Sequence, residues 1–415
     1  MDKLEKGKQM IEWKPRITSI KRYEPIVGKN TIERIKSKAA PLKDIHITNV
    51  NSTYYGGGVS VLLSSLTMLL NSLGIKTGWR LIQGSPDFFS ITKKMHNALQ
   101  GGPFHLSERK KQIYQRIIHE NAIRNHLDHD FIIIHDPQPL LLINYFRKRG
   151  PWIWRCHIDL SEPNQVLWNY LKPSIEKYDA VILSADEYRQ NLKTPQRIFM
   201  PAIDPFSIKN RDLSEAEIYN RLKRYKIPTD LPLIVQISRF DKWKDPQGVI
   251  DAFQKIRTSV PSTLVLLGNV ATDDPEGTEI YNKILSQREE RIIILSQEDT
   301  ALVNALQRKA AVVIQKSIRE GFGLTVTEAM WKSRPVVAGN VGGIRYQIQD
   351  GETGFLVSSV EETVDRTCHI LENPKKAEEM GHLARESVKE RFLMTRLVEQ
   401  YLDLFNHFVP DFYLR

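Results

Sequence analysis

Two doubly wound α/β domains that face each other across a cleft are the fold that this sequence predicts. From residue 45 onward, short β-branched runs alternate with amphipathic stretches, which is typical of parallel sheets covered by helices on both faces. The alternation stops once, near residue 228, and then restarts. The chain has 415 residues, which is more than one hydrophobic core usually serves.

The first domain is predicted over residues 41–228, after a basic N-terminal arm of residues 1–40. Its expected strands are short apolar runs that span residues 45–50, 131–135, 153–157 and 180–183. Residues 59–73 carry six leucines at helical spacing, as a helix that packs on a sheet requires. Pro228 and Pro232 interrupt regular structure, which predicts a domain boundary and a hinge near residues 227–232.

The second domain is predicted over residues 229–390. Its expected strands span residues 233–237, 264–268, 292–295, 312–315 and 335–338. Residues 391–415 predict a final helix whose apolar side chains are expected to pack back on the first domain. Ligands of open parallel sheets bind beyond the carboxyl ends of the strands, so the cleft between the domains is the expected binding site.

The charge of the chain is concentrated in the N-terminal arm. The net charge is +10, and the arm alone holds eleven Lys and Arg against five Asp and Glu. The rest is nearly balanced and does not interleave aromatic residues with cations, which disfavours nucleic acid as a partner. A homodimer stays open, because the arm offers apolar side chains to a second subunit at Ile11, Trp13, Ile17 and Ile20.

Two cysteines, Cys156 and Cys368, lie far apart and have no Cys or His at metal-ligand spacing. Neither a disulfide framework nor a zinc site is therefore expected, and a reducing cytoplasm fits this usage. The N-terminus has no apolar signal core, and no run of about 18 apolar residues occurs. We expect a cytoplasmic protein without a membrane partner.

A segment bounded by Glu320 and Glu328 is the strongest local indication of function. It lies between a predicted strand and a predicted helix, where glycines and a helix start expose backbone N–H groups to a phosphate. Each carboxylate offers two acceptor oxygens for sugar hydroxyls. The segment therefore indicates a sugar nucleotide. The alternative is that Glu320 only caps the turn and Glu328 is a solvated helix residue.

Three glycines, Gly56–Gly58, follow the first predicted strand and precede a helix. Glycines let a backbone approach a ligand closely, although a plain turn between strand and helix is the alternative. The Gly-x-Gly-x-x-Gly spacing of dinucleotide sites fails, because Ser60 and Val61 occupy the later positions. Nicotinamide chemistry is therefore disfavoured.

Two cations, Arg239 and Lys244, follow the first strand of the second domain. Arg binds a phosphate through its planar fork and Lys as a point charge, so the pair is a candidate diphosphate clamp, with two solvated side chains as the alternative. The phosphate loops carry no cluster of carboxylates, so these cations are expected to replace a divalent ion. No cofactor is then required, although Mg²⁺ could still associate with the free nucleotide.

Polar residues also end two predicted strands of the first domain. His157 is a candidate for binding a substrate hydroxyl or moving a proton, with a buried structural histidine as the alternative. His135 and Asp136 end a second strand at the same sheet edge and are candidates for binding the acceptor.

Taken together, these residues resemble the retaining glycosyltransferases of GT-B architecture, with two Rossmann-like domains, and in particular the glycogen-synthase-like family 4. The resemblance spans roughly residues 45–410 and is carried by residues 320–328, 238–240 with Lys244, 56–58 and His157. Residues 135–138, 154–159 and 390–396 are similar to the trehalose synthases of the glycosyltransferring type. Trehalose phosphorylases, which use phosphate, are the alternative, followed by a noncatalytic nucleotide-binding scaffold.

The resemblance implies a reversible transfer of glucose from a nucleoside diphosphate glucose, ADP-glucose or UDP-glucose, to free glucose, giving trehalose with retention of configuration. It implies that a phosphate oxygen of the leaving diphosphate accepts the proton of the incoming hydroxyl. Glu320 would bind the donor glucose, Glu328 the ribose and His157 the sugar near its hydroxymethyl group. The residues that would bind the diphosphate are Gly57, Gly58, Arg239, Lys244, Gly323, Leu324 and Thr325. Arg345 and Tyr346 depart from the Pro-Glu of many members, so no substrate contact is expected there.

Overall fold

Two six-stranded parallel sheets organise the chain in the computed structural model, which describes residues 19–53, 57–268 and 275–412. The first sheet has the spatial order β2-β1-β3-β4-β5-β6. Its strands β1 to β6 are His46–Asn51, Lys76–Leu81, Phe131–His135, Trp152–Arg155, Ala180–Leu183 and Gln196–Ile198. Every pairing between neighbouring strands is parallel.

The second sheet has the order β12-β11-β10-β7-β8-β9 and is also parallel throughout. Its strands β7 to β12 are Leu233–Ile237, Thr263–Gly268, Ile292–Ser296, Val312–Gln315, Val336–Gly339 and Phe355–Val357. Numbered within the domain, this is the 3-2-1-4-5-6 order of doubly wound nucleotide-binding sheets. The strand order reverses between β7 and β10, and in the first sheet between β1 and β3.

Helices cover both faces of each sheet, as parallel sheets require. In chain order, helices α1 to α14 are Glu24–Val27, Lys29–Ala39, Gly57–Ser72, Pro86–Leu99, Glu108–Arg124, Gln165–Ile175, Glu215–Arg224, Pro246–Ser259, Pro275–Leu285, Thr300–Lys309, Leu324–Trp331, Val360–Glu372, Pro374–Arg391 and Met394–Phe412. None of the helices within the described ranges combines the length and apolar character that a bilayer crossing demands. The predicted fold class, two doubly wound domains of GT-B type, is confirmed.

Three strands were not predicted, namely β2, β6 and β12. All three are edge strands, and the side chains of β2 and β6 are largely solvent-facing, with Lys76 and Arg80 among them. Such strands lack the continuous apolar run on which the prediction depended. The strand predicted to end at His157 ends instead at Arg155, so His157 lies in the loop beyond β4.

The chain passes between the domains earlier than residue 228. Helix α7 precedes that residue, yet it packs on α10 of the second domain, and Ile218 and Leu222 belong to the second domain's core. Ile203 forms a parallel bridge with Leu393, where the chain returns to the first domain. The structure therefore places both crossings side by side, away from the hinge expected at residues 227–232.

Both ends of the described chain pack on the first domain. Helix α14 lies against α2 and α3 and buries Leu397, Tyr401 and Phe405 in the core that covers the first sheet. From residue 19 onward, the segment predicted as an arm is helical and part of this core. Ile20 is buried there, so the expectation that it packs on a second subunit is wrong. Ile11, Trp13 and Ile17 lie outside the described residues.

Candidate functional site

The reversal between β7 and β10 brings two predicted site residues into contact. Lys244 follows β7 and Glu320 follows β10, and the Lys244 Nζ forms an ion pair with Glu320 Oε2. Ser317 Oγ lies 3.4 Å from the same carboxylate oxygen. Because strand ends at such a reversal border an open crevice, this pair lies where a ligand of this fold is expected.

A short turn fixes the position of Lys244. Asp241 Oδ1 accepts the N–H groups of Trp243 at 3.0 Å and Lys244 at 3.2 Å, and Asp245 caps α8 by accepting the N–H of Gly248 at 3.0 Å. Gln236 of β7 donates to the Lys244 carbonyl at 2.8 Å. The backbone of the turn is therefore held on both sides, so only the lysine side chain has freedom to change partner.

Arg239 is less engaged than Lys244. Its side chain is about half exposed and lies 3.3 Å from Asp241 Oδ2. This leaves most of its guanidinium donors facing solvent in the crevice. The structure thus places two cations at the end of β7, Lys244 largely buried in its pair with Glu320 and Arg239 half-exposed beside Asp241.

The turn before α11 exposes donors to the crevice. Gly323 adopts φ +84°, which favours glycine, and α11 begins at Leu324. The first N–H groups of a helix lack carbonyl partners within it and carry its positive dipole end. Gln347 donates to the Phe322 carbonyl and holds the turn from behind.

The first-domain glycines meet the same helix start. Gly57 begins α3, and a Cβ on Gly58 would lie 2.8 Å from Leu324 Cδ1. Gly56 lies outside the described residues. The N-terminal ends of α3 and α11 therefore approach each other across the cleft, where two positive dipole ends favour an anion.

Glu328 is almost fully buried, so the interpretation of it as a solvated helix residue is wrong. Lys209 Nζ lies 2.9 Å from its Oε1. Its Oε2 is buried and has no hydrogen-bond partner among the described residues. One acceptor oxygen of this carboxylate is thus left for a ligand hydroxyl.

A second lysine lies behind Glu328. Lys332 is buried one helical turn later and donates to Asn210 at 2.9 Å, Gln307 at 2.8 Å and the Glu328 carbonyl at 3.1 Å. Burial lowers its pKa to about 7. Sequence reasoning missed both lysines. Only the four-residue spacing of Lys332 from Glu328 hinted that it shares a helix face with the site.

In the first domain, the structure joins the predicted residues in one network. His135 Nδ1 lies 3.0 Å from His157 Nε2, and His135 Nε2 lies 3.0 Å from Asn49 Oδ1. Asp136, with φ +62°, accepts the backbone N–H of His157 at 2.8 Å. Both nitrogens of His135 and one oxygen of Asp136 are thus occupied within the protein.

Burial governs the charges of this network. Loss of solvent and the nearby Arg155 guanidinium lower the pKa of His135 to about 3, and the same causes, with His135 itself, lower the pKa of His157 well below its usual value. Burial raises the pKa of Asp136 to about 6. Both histidines are therefore neutral near pH 7, which excludes a resident imidazolium and leaves them hydrogen-bonding roles.

Another histidine faces the cations across the cleft. His96 of α4 has its pKa lowered to about 3 by loss of solvent first and then by the charges of Arg239, Lys93 and Lys244. It was not predicted, because a lone histidine within an amphipathic helix carries no motif. Its ring lies within reach of the charges at the end of β7.

Several contacts tie the two domains together around residues 320–328, the nonapeptide bounded by the two glutamates. Tyr188 of the first domain donates to the carbonyls of Gly321 at 2.9 Å and Glu320 at 3.2 Å. A Cβ on Gly321 would lie 2.5 Å from the His157 carbonyl oxygen. Arg345, the position that departs from the family pattern, forms an ion pair with Glu187. The two domains therefore contact each other around the loop that carries Glu320, and the His157 backbone lies directly beside this loop.

Among the described residues, no three His, Cys, Asp or Glu side chains come together as a metal site requires. The residues that are brought together at the cleft are His157, Arg239, Lys244, Glu320 and the start of α11. Such a set offers cations and amide donors to phosphate, and carboxylate and imidazole acceptors to hydroxyl groups.

Comparison with known proteins assigns both halves of the chain. Residues 49–190 match the family model for the trehalose synthase N-terminal domain, and residues 220–387 match the model for group 1 glycosyl transferases. The trehalose synthase of Thermococcus litoralis is 46% identical over 93% of this chain and 96% of its own length. The trehalose phosphorylase of Pleurotus pulmonarius is 26% identical over 82% of this chain but only 54% of its own length.

Solved structures share the fold at low identity. Sucrose-phosphate synthase from Thermosynechococcus elongatus has a TM-score of 0.70 and 19% identity, covering 89% of this chain and all of that one. Anabaena HepE, crystallised in complex with UDP-glucose, has a TM-score of 0.65 and 17% identity, covering 88% and 99%.

Proposed function

The chain belongs to the trehalose synthase family, a family of GT-B hexosyltransferases, and from this premise we propose that it transfers glucose from a nucleoside diphosphate glucose to free glucose. The product is trehalose, the anomeric configuration is retained, and the reaction is reversible. ADP-glucose and UDP-glucose are the proposed donors. The observation that carries the proposal is the meeting of Lys244 and Glu320 at the strand reversal, beside His157 of the other domain.

The diphosphate is assigned to the region where the starts of α3 and α11 approach each other. Arg239 and Lys244 supply the opposite charge, and the free N–H groups at Gly323, Leu324 and Thr325 supply aligned donors. Support for this assignment comes from the half-exposed Arg239 and from the Gly58–Leu324 approach. Among the solved structures of this fold, Anabaena HepE holds UDP-glucose.

The two glutamates are assigned to the two sugars of the donor. Glu320 is assigned to the glucose hydroxyls, since it pairs with Lys244 and adjoins Gly321, which packs on the His157 carbonyl. Glu328 is assigned to the ribose, and its buried, unpartnered Oε2 supports this role. When the donor binds, the diphosphate replaces Glu320 as the partner of Lys244, and the carboxylate turns to the sugar.

The chemical step needs charge stabilisation more than it needs a nucleophile. The leaving phosphate oxygen accepts the proton of the incoming glucose hydroxyl while the transferred sugar passes through an oxocarbenium-like state. Negative charge then grows on the diphosphate, where Lys244, Arg239 and the α11 amides stabilise it. Loss of one such donor typically raises a barrier by about 2.7–4 kcal/mol. We propose that no cofactor is required, since the basic pair takes the place of a divalent ion, although Mg²⁺ could associate with the free nucleotide.

A product assay tests the proposal. Purified protein is incubated with glucose and either ADP-glucose or UDP-glucose, and we expect α,α-trehalose and free nucleoside diphosphate in equal amounts. A Lys244→Ala variant is the matched control for contaminating activity. Formation of no disaccharide from either donor would contradict the proposal.

A second arm separates the phosphorylase alternative, which the 26% identical phosphorylases raise. Trehalose and inorganic phosphate are supplied without nucleotide. If glucose 1-phosphate forms, the glucosyl carrier is phosphate and the nucleotide assignment fails. If trehalose is cleaved only when a nucleoside diphosphate is added, the proposed carrier is supported and the reaction is reversible.

A further inference from the structure

Three side chains form a hydrogen-bonded row that leads from the buried first sheet to the cleft. Asn49 lies on β1, His135 ends β3, and His157 follows β4. The row is joined by the two 3.0 Å contacts of His135, one to Asn49 Oδ1 and one to His157 Nε2. The two imidazole rings lie within 17° of parallel. Since Asn49 and His135 are fully buried, the row has a defined inner end.

Asn49, at the buried end of the row, determines which ring nitrogens carry protons. Asn49 Nδ2 donates to the Gly78 carbonyl at 3.3 Å, so the Asn49 atom that faces His135 is the oxygen. An amide oxygen only accepts, and His135 Nε2 must therefore carry the proton. A neutral imidazole has one N–H, so His135 Nδ1 accepts. His157 Nε2 must then donate to it.

This arrangement of protons requires neutral rings, and the surroundings of the two histidines favour them. Arg155 is fully buried beside the row and donates to Ser184 Oγ at 3.1 Å and the Phe199 carbonyl at 2.8 Å. Its fixed charge, added to the loss of solvent, opposes protonation of either ring. Asp136 is the nearby acid, and one of its oxygens accepts the His157 backbone N–H. Neither histidine therefore gains a second proton near neutral pH.

We infer that Asn49 and His135 are positioning residues that hold His157 as its Nε2–H tautomer and leave Nδ1 as a hydrogen-bond acceptor at the cleft. His157 Nδ1 has no hydrogen-bond partner among the described residues, and His157 lies beside Gly321 of the nonapeptide. His157 thus accepts a hydrogen bond from a hydroxyl of the bound hexose and does not donate one. The identity of that ligand rests on the proposed function, whereas the tautomer does not.

Nitrogen NMR tests the tautomer without any turnover. The full-length protein is labelled with ¹⁵N-histidine, and His135 and His157 are assigned with single variants. We expect both rings to show a protonated Nε2 and an unprotonated Nδ1, unchanged between about pH 6 and pH 8. Asn49→Leu removes the acceptor that sets the row and should give mixed tautomers. An Nδ1–H tautomer or an imidazolium at either ring in the unmodified protein would overturn the inference.

Kinetics with two variants of His135 test the consequence for the sugar. His135→Gln keeps an oxygen that accepts from His157 and an N–H that donates to Asn49, whereas His135→Leu keeps neither. We expect kcat/KM for the donor to be about tenfold lower in His135→Leu than in His135→Gln. Equal values in the two variants would contradict the positioning role. If the Leu variant does not fold, Asn49→Leu takes its place.

A donor analogue completes the test, because fluorine cannot donate a hydrogen bond. The analogue carries fluorine in place of the 6-hydroxyl, which belongs to the hydroxymethyl group that the family resemblance assigns to His157. With this donor, we expect kcat/KM to be the same in His135→Gln and His135→Leu. A difference that persists would mean that His157 acts elsewhere than on that hydroxyl. Failure of the product assay with an intact NMR result would refute the proposed function alone, and the reverse outcome would refute the tautomer alone.

Discussion

Two glutamates of one nonapeptide have different surroundings, and the difference follows from their place relative to α11. Glu320 precedes the helix and meets Lys244 at the crevice, whereas Glu328 lies on the buried side of the helix and meets Lys209. A buried carboxylate needs a partner for its charge, which Lys209 supplies from the segment between the domains. Identical side chains thus have different surroundings through position alone.

Substitution of Lys244 tests the role of a single side chain. Lys244→Ala removes the cation that would stabilise the leaving diphosphate, so we expect kcat to fall by about 10²–10³-fold. The KM for glucose should change little, because glucose as acceptor does not contact this side chain in the proposed reaction. Steady-state kinetics of trehalose formation measure both quantities.

Lys242→Ala is the matched control, since Lys242 lies in the same turn with its ammonium over the Trp243 ring. It should keep its turnover. Equal losses in the two variants would mean that the turn as a whole is damaged, and no loss in Lys244→Ala would refute the role of this lysine.

The sequence was informative about residues that follow strand ends. The placement of four candidate residues at the cleft was predictable, because each lies at or beyond the carboxyl end of a predicted strand and such ends border the cleft. These residues are His157, Arg239, Lys244 and Glu320. Their partners come from distant segments and obey no spacing rule. Lys209 and Tyr188 reach the site only through the path of the folded chain, so no local pattern indicated them.

Helix α11 is anchored from behind as well as exposed in front. Its start offers amide donors to the crevice, and Lys332, just after its end, ties it to Gln307 of α10 and to Asn210. This lysine has no carboxylate among its hydrogen-bond partners and is fully buried, which is why its pKa falls. The hydrogen bonds that position α11 therefore require a buried lysine, and burial destabilises the charged form of that lysine.

Lys332→Met tests this anchor through stability. At pH 7 the variant leaves two amide oxygens without their donor, which should lower the free energy of unfolding by about 1–3 kcal/mol. The lysine pKa is about 7 in the folded protein and 10.5 ordinarily, so the unfolded chain holds more protons between these values. The stability of the unmodified protein should therefore gain from this group as pH rises from about 7 towards 10.5, and the variant should lack that gain.

Urea unfolding at several pH values measures both effects. Lys309→Met, which replaces an exposed lysine at the end of α10, is the control and should follow the unmodified protein. A Lys332→Met curve parallel to that of the unmodified protein at every pH would show that Lys332 keeps its ordinary pKa.

Strand prediction succeeded where strands are buried on both faces. Residues 131–135 and 233–237 are continuous apolar runs that coincide with β3 and β7. The edge strand β2 carries Lys76 and Arg80, and its alternation is too irregular to distinguish it from a loop. The predicted domain boundary was misplaced because it depended on two prolines, Pro228 and Pro232. These prolines interrupt the chain inside the second domain, just before β7.

Across the whole molecule, the nonapeptide loop is clamped between the domains. Tyr188 binds its carbonyls, and Gly321 packs so closely on the His157 carbonyl that a methyl group would not fit. Arg345 and Glu187 add an ion pair at the same boundary. The site is thus complete only when the two domains are together.

Gly321→Ala tests this closure. A Cβ there would lie 2.5 Å from a backbone oxygen, so the domains must separate slightly. We expect a larger radius of gyration by small-angle scattering, a smaller contraction on adding nucleoside diphosphate, and lower kcat. Gly78→Ala is the control, because its Cβ would make only ordinary contacts at 3.8 Å or more. Profiles and rates identical to those of the unmodified protein would contradict the close approach.

The return of α14 to the first domain has a consequence for how the protein is made. The core beneath the first sheet includes Leu397 and Phe405, whereas the core of the second domain lies between residues 203 and 393. Synthesis from the N-terminus therefore completes the residues of the second-domain core before α14, the last helix of the first domain, has been made. The domain that is synthesised first is the one that finishes folding last, and until then its uncovered apolar face is a target for chaperones.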